Sequence, residues 1–197
     1  QYTEDNDIFE LISEELVKEN GYDNIISADL YPAAGDSDDF MYGMLETELG
    51  GTRNKIFAMT PEIGSSFWPA ATTIEDLCKG MMYHNLTAAQ MVNNYATLKD
   101  ITTSNFISSL SYSTSYEIQR LGIGGQGDFN VSFTPISDNI TSVTDTNNHN
   151  QMSLGEVIVD DFTIELSSEI QDGDIVSYTL VLNNGFFNKE YIINKIY

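Results

Sequence analysis

A carboxylate at the end of an apolar run is well placed for acid–base chemistry. Glu62 stands near the end of the stretch "KIFAMTPEIG" (residues 55–64), and Phe67 and Trp68 follow it. Apolar surroundings disfavour the ionised form of a carboxyl group, which makes the carboxylate a stronger proton acceptor. The sequence therefore makes Glu62 a candidate general base.

A second stretch carries more chemistry than a connecting loop needs. "YPAAGDSDDFMYG" (residues 31–43) contains the turn formers proline and glycine, but also Tyr31, Asp36 and Asp38. A hydroxyl and several carboxylates suit the binding of a substrate with a cationic group. Taken alone, Tyr31 as an ordinary loop aromatic and Glu62 as a solvated charge remain open alternatives.

The sequence shows no evident nucleophile or metal site. It contains one cysteine, Cys78, and two histidines, His84 and His149, without a G-x-S-x-G, H-E-x-x-H or H-x-x-E pattern. Cys78 stands in an apolar helical stretch, which predicts a buried thiol. Both histidines are interpreted as structural residues.

The composition limits the classes of protein to which the chain can belong. The chain of 197 residues is 41% hydrophobic, which is enough for a sizeable core. Its formal net charge of −22 repels phosphate backbones and anionic lipids, so the sequence argues against nucleic-acid partners. No apolar run approaches the ~18 residues of a membrane helix, so membrane insertion is not expected. The chain starts at Gln1 and ends within an apolar alternation, and we expect it to be a piece of a longer protein.

The elements that would position these residues fall into two parts. Helical spacing of apolar residues predicts helices over 5–21, 72–86 and 87–100, with a short β-type run at 55–64. After Asp100, short alternating segments separated by Gly-, Asn- and Asp-rich turns predict an antiparallel β-sandwich. The predicted division is therefore 1–100 and 101–197.

The two stretches together resemble the C-terminal part of the catalytic domain of zinc carboxypeptidases of the M14 (carboxypeptidase A/B) family. Tyr31 matches the loop tyrosine that closes over the substrate. Asp39-Phe40 and Tyr42 match an Asp-Trp pair and a downstream aromatic residue, and Glu62 in "TPEIG" matches the catalytic glutamate of a T-x-E pattern.

The flanking segments extend the resemblance over about residues 5–97. "IFELISEEL" (8–16) matches the helix before the loop, and "FWPAATTIEDLC" (67–78) matches the proline-led start of the last helix. Residues 44–53 look like an insertion relative to the digestive members. Asp38 falls at the position that lies at the base of the pocket for the substrate's C-terminal side chain, with Asp36 beside it.

The resemblance implies an α/β fold for residues 1–100, the C-terminal part of the carboxypeptidase α/β/α fold, followed by the all-β antiparallel sandwich. It implies a secreted, cell-surface or periplasmic metallopeptidase that removes C-terminal amino acids, with Lys or Arg favoured by Asp38, from peptide and protein C-termini. The general base would be Glu62, and Tyr31, Asp38 and Asp36 would bind substrate. The family's zinc ligands cannot be mapped onto this chain, so we expect zinc in the intact parent and an inactive, self-associating fragment.

Two other interpretations stay open. The chain would act only as a non-catalytic β-sandwich module for binding or secretion in a larger surface protein, with residues 102–197 contacting a glycan or a partner protein. Alternatively, the parent would be a degenerate homologue without activity. An upstream His-x-x-Glu followed by a later His would separate both from the carboxypeptidase.

Overall fold

The computed structural model describes residues 2–32, 35–43, 54–144 and 146–197. The chain divides into two compact units, Gln1–Ala88 (unit 1) and Ala89–Tyr197 (unit 2). In the described part, no helix has both the length and the apolar character needed to cross a membrane. The proposed insertion at 44–53 lies outside the described residues.

Helices and irregular segments make up the described part of unit 1. The first helix is amphipathic: Ile12 and Leu16, one turn apart, are buried, and Gly21 follows its end with φ 68°. The helices are α1 (Asn6–Val17), α2 (Ser27–Leu30), α3 (Ser37–Gly43), a 3-10 turn (Ala71–Thr73), α4 (Ile74–Gly80) and α5 (Met82–Met91), whose end reaches into unit 2.

Eight strands form two four-stranded antiparallel sheets in unit 2. The first sheet has the order β1-β2-β6-β4 and the second has the order β5-β3-β7-β8. The strands are β1 (Ala96–Asp100), β2 (Ser111–Arg120), β3 (Phe129–Pro135), β4 (Ile140–Val143), β5 (Asn147–His149), β6 (Val157–Leu166), β7 (Ile175–Asn183) and β8 (Asn188–Ile196).

Large aromatic side chains fill the core between the two sheets. Tyr116 and Phe162 come from the first sheet, and Phe133 and Tyr178 come from the second. The ring centroids of Tyr116 and Phe162 are 5.5 Å apart, those of Phe162 and Phe133 5.8 Å, and those of Phe133 and Tyr178 4.5 Å. The first and last of these pairs are stacked within one sheet, and the tilted Phe162–Phe133 contact connects the two sheets.

A buried ion pair joins the first and last strands of unit 2. Lys195 Nζ lies 2.8 Å from Asp100 Oδ2 and also donates to the Ser104 carbonyl. Burial raises the pKa of Asp100, but hydrogen bonds from Lys195 and Thr102 outweigh it and hold this pKa below its ordinary value. Next to the pair, Ile196 exchanges backbone hydrogen bonds with residues 105 and 107 at 2.8 and 2.7 Å.

The predicted α/β fold class is wrong for this chain. The described strands all lie between Ala96 and Ile196 in antiparallel sheets, and the described part of residues 1–88 has helices without a sheet. The apolar run at 55–64 is extended but forms no strand among the described residues, because alternation alone does not supply a partner strand. The assignment of 1–100 to a catalytic segment and 101–197 to an accessory domain stays a prediction.

One predicted helix is partly a strand. The segment 87–100 was expected to be helical, but residues 96–100 pair with β2 as β1. The side chains of Ala96 and Leu98 are buried, and Lys99 between Leu98 and Asp100 is exposed. This two-residue period is the strand signal, and it was hidden by the helix-forming residues before it.

Candidate functional site

The two stretches singled out in the sequence lie side by side in unit 1. The extended segment 54–63 runs along α3, where the Ile56 amide donates to the Met41 carbonyl at 3.3 Å. Further along, Thr60 Oγ1 donates to Asp38 Oδ2 at 2.8 Å. This hydrogen bond ties the carboxylate of Asp38, a predicted substrate-binding residue, to Thr60. Thr60 stands two positions before Glu62, the predicted general base.

An aromatic cluster fixes the other end of this segment. The Phe57 ring lies 5.1 Å from Phe9 of α1 and 6.3 Å from Tyr42 of α3, and Phe9 and Tyr42 are 5.4 Å apart. Both contacts of Phe9 are edge-to-face, and such contacts bury apolar area and set the ring orientations. The cluster thus connects α1, α3 and the extended segment.

Polar contacts on the rim of the cluster reinforce it. Asp5 Oδ2 accepts hydrogen bonds from Lys55 Nζ at 2.8 Å and from Tyr42 Oη at 2.9 Å, and Lys55 also pairs with Glu4. Hydrogen bonds from Lys55 and Tyr42 lower the pKa of Asp5, and the carboxylates raise the pKa of Lys55. The ammonium and the carboxylate are therefore both charged at neutral pH.

The predicted site residues have different surroundings. Asp36 caps α3, since its Oδ1 accepts from the Asp39 amide at 2.9 Å, and Asp38 is half-buried beside Thr60. Tyr31 directly follows α2 and is 56% exposed, and Glu62 is also exposed. Within the described residues, the side chains of Tyr31 and Glu62 form no hydrogen bond or ion pair. Asp36 precedes α3 and Asp38 lies in its first turn, and of these residues only Asp38 is connected to the segment that carries Glu62.

An apolar cavity of about 420 Å³ is lined in part by Ile63, the residue that follows Glu62 in the sequence. Its wall is formed by Ile63, Pro69, Ile74, Leu77, Cys78, Met81, Met82 and Asn85. The thiol of Cys78 is exposed and not buried as predicted from its helical context. Phe67 and Trp68, which stand between Glu62 and α4 in the sequence, are 94% and 92% exposed.

The described residues do not fit a zinc site. They contain no group of three or more His, Cys, Asp or Glu side chains that could hold a metal ion. A catalytic zinc site needs about three protein ligands. No chemical step through a metal is therefore assigned to this chain.

His149 is a buried structural residue in unit 2. Its Nε2 lies 2.9 Å from the hydroxyl of Tyr116 in the opposite sheet, and Asn147 donates to the same hydroxyl at 2.9 Å. The interpretation of His149 as structural agrees with this position. No local pattern predicts this partner, because Tyr116 is 33 residues away in the sequence.

Comparisons with known proteins find only weak structural similarity. No protein-family model and no curated protein matches the chain. A FixG-related protein from Vibrio parahaemolyticus is 13% identical, with a TM-score of 0.36, and the match covers 52% of this chain and 94% of that one. The chaperone–tip adhesion subunit complex CsuC-CsuE from Acinetobacter baumannii is 16% identical over 52% of this chain and 55% of that one, with a TM-score of 0.26. Neither similarity is high enough to support a functional argument.

Sequence reasoning missed Thr60 as a site residue. In the sequence Thr60 stands out only as the first residue of the "TPEIG" pattern, but its hydroxyl is the group that contacts Asp38. The two residues are 22 positions apart, so no local spacing rule connects them. A β-branched residue with a hydroxyl two places before a candidate base was the available signal.

Proposed function

We propose that this chain is the C-terminal portion of a metallocarboxypeptidase of the M14 type, which removes C-terminal amino acids from peptides. The chain contributes the general base Glu62 and the substrate contacts Tyr31, Asp38 and Asp36. The zinc of such an enzyme would be held by residues outside the described part of this chain. The proposal therefore concerns the complete enzyme, and the 197 residues alone are expected to be inactive.

The hydrogen bond between Thr60 Oγ1 and Asp38 Oδ2 is the observation that carries the proposal. It joins the loop predicted to bind the substrate side chain to the segment predicted to carry the base, across 22 positions of sequence. The aromatic cluster of Phe9, Tyr42 and Phe57 supports the same proposal, because each ring comes from a segment that contributes to the resemblance. The contacts among α1, α3 and the extended segment are the support for the proposal.

Each residue would have a distinct role in the reaction. The carboxylate of Glu62 would accept a proton from the attacking water and pass it to the leaving amine. Asp38, at the base of the side-chain pocket, would pair with the ammonium or guanidinium group of a C-terminal Lys or Arg. Tyr31, on an exposed loop, would cover the bound residue.

Substitution of Glu62 tests the proposal in the complete encoded protein, with its flanking sequence. Glu62→Gln should lower kcat by at least about 10²-fold, since an amide cannot accept the proton, while peptide binding is retained. Glu169→Gln, an exposed carboxylate in unit 2, is the matched control and should leave kcat unchanged. The readout is release of the C-terminal amino acid, with and without chelator and added Zn²⁺. Retention of most of the wild-type kcat by Glu62→Gln would show that Glu62 is not the base.

Asp38 tests the substrate class within the same proposal. Peptides that differ only in a C-terminal Arg or Leu should be cleaved with a preference for Arg, and Asp38→Asn should reduce that preference about tenfold or more. Asp29→Asn, an exposed aspartate of α2, is the control. An Arg preference that Asp38→Asn leaves intact would remove Asp38 from the pocket without affecting the assignment of Glu62.

A further inference from the structure

A row of four asparagines crosses the outer face of the second sheet of unit 2. Asn148 of β5 is opposite Asn130 of β3, Asn130 is opposite Asn183 of β7, and Asn183 is opposite Asn188 of β8. Asn130 lies between Phe129 and Val131, which are buried between the sheets, so its side chain points away from the core, and residues directly opposite each other across the strands share that face. At a strand spacing of ~4.8 Å the row is roughly 14 Å long.

The side-chain amides of this asparagine row are hydrogen-bonded to each other in pairs. Asn130 Nδ2 donates to Asn148 Oδ1 at 2.8 Å, and Asn183 Nδ2 donates to Asn188 Oδ1 at 2.6 Å. An amide group has two N–H donors and two acceptor lone pairs, so each pair leaves hydrogen-bonding capacity facing solvent. The row therefore presents donors and acceptors in fixed positions.

The turn at the end of the row carries two exposed phenylalanines. It joins Asn183 to Asn188, and Phe186 and Phe187 within it are 79% and 37% exposed. Asn184, which is buried, anchors the turn: its Oδ1 accepts from both phenylalanine amides at 3.0 Å.

The anchor extends to the start of the first sheet. Asn184 Nδ2 donates to the Asn94 carbonyl at 2.6 Å, and Asn94 donates back to the Asn184 carbonyl at 3.3 Å. A turn whose backbone is held from both sides is ordered before a ligand arrives. The backbone that carries the exposed Phe186 ring is therefore fixed by Asn184.

The row is uncharged in a strongly acidic chain. The formal net charge of the protein is −22, yet the four residues of the row and the two phenylalanines carry no charge. Along β8 the next outward side chain is Glu190, and along β3 it is Ser132. A charged ligand would gain nothing from the row itself, whereas a neutral ligand with many hydroxyl groups matches it.

We propose that the asparagine row and the Phe186 turn form a binding site for a neutral polysaccharide chain. Sugar hydroxyls would hydrogen-bond to the asparagine amides, and the apolar face of a sugar ring would pack on Phe186. The row is long enough for a few consecutive sugar rings along one line. The site is independent of the carboxypeptidase proposal, since it uses only residues of unit 2.

The test uses the full 197-residue chain and affinity electrophoresis in gels that contain soluble polysaccharides. The probes are a neutral glucan, a neutral xylan and, as the charged comparison, alginate. We expect retardation by at least one neutral probe and none by alginate. Phe186→Ala and Asn148→Ala should each weaken that binding about tenfold.

Matched variants separate binding from folding. Ser177→Ala, on the same face but outside the row, should bind like the wild type, and all variants should keep the wild-type circular dichroism spectrum. Retardation that survives both Phe186→Ala and Asn148→Ala would overturn the site, as would retardation by alginate equal to that by the neutral probes. Absence of retardation by both neutral polysaccharides would overturn the ligand class.

Discussion

His149 connects the two sheets of unit 2 through a single buried hydrogen bond and thereby makes stability depend on pH. Its Nε2 lies 2.9 Å from Tyr116 Oη and 3.9 Å from Asp160 Oδ2. Burial lowers the pKa of His149, and the Asp160 carboxylate offsets only part of this effect. The folded protein therefore favours the neutral ring.

The sign of the pH dependence follows from this lowered pKa. Above the ordinary histidine pKa of 6.5 the ring is neutral in both states and contributes no pH dependence. As the pH falls below 6.5, the unfolded chain takes up the proton first, so the free energy of unfolding decreases until the lowered folded pKa is passed. Thermal unfolding of the sheet signal in circular dichroism should show the melting temperature falling from pH 7.5 to 5.5.

Substitution isolates the contribution of this ring. His149→Gln should flatten the decrease between pH 7.5 and 5.5, because glutamine does not titrate. His84→Gln, in unit 1, should leave the pH dependence of the sheet signal as in the wild type. An unchanged slope in His149→Gln would assign the dependence to other groups.

At the scale of elements, the glycine-rich turn between β2 and β3 depends on close backbone contacts. Arg120 donates to the carbonyls of Gly122, Gly124, Gly125 and Met152, which holds the turn in place. A Cβ at Gly127 would lie 2.2 Å from the Met152 carbonyl oxygen, and the φ of Gly127 is +76°. Both the space and the backbone conformation therefore require glycine here.

A comparison of Gly127 with Gly173 separates the requirement for space from the requirement for a positive φ. Gly127→Ala should lower the free energy of unfolding by about 1–3 kcal/mol more than Gly173→Ala. Gly173 also has a positive φ, +93°, but an added Cβ there meets nothing within 4 Å. Chemical denaturation of both variants measures the difference, and equal losses would mean that the close approach to Met152 is relieved at no cost.

The sequence pattern predicted a strand correctly where the alternating segment has a partner strand in the fold. The alternation in "DFNVSFTPI" located β3, since Phe129, Val131 and Phe133 all face the core. It failed at 55–64, whose apolar run has no described strand beside it, and at β1, where helix formers precede the strand. The α/β fold class was wrong for the same reason, because sheet membership is a long-range property.

The candidate site was predictable only in part. Residue types and order pointed to Asp38 and Glu62, but the contact that relates their segments passes through Thr60, 22 positions from Asp38. The asparagine row was invisible in the sequence, because its members come from four strands and meet only through sheet register. Pairing across a sheet is not encoded in local spacing.

At the scale of the whole molecule, charge repulsion opposes folding. Thirty Asp and Glu residues face eight Lys and Arg residues, and compaction brings the excess negative charges closer together. Salt screens such repulsion over a distance of ~10 Å at 0.1 M. The folded state should therefore gain more from added salt than the unfolded chain.

Melting in a salt series tests this expectation. Raising NaCl from about 20 to about 300 mM at pH 7.5 should increase the melting temperature. A gain of ~1 kcal/mol corresponds to roughly 2–4 °C for a chain of this size. Sodium sulfate at equal ionic strength, compared with NaCl, controls for effects specific to the anion. A melting temperature that falls with NaCl would show that attractive ion pairs outweigh the general repulsion.

The junction of the first and last strands of unit 2 has a mechanical consequence. The segment 105–107 and Ile196 run parallel, and the Asp100–Lys195 ion pair lies beside them. Tension that pulls the segment 105–107 and the end of β8 apart along their common direction would load the hydrogen bonds between them together in shear, and these bonds would not open one after another.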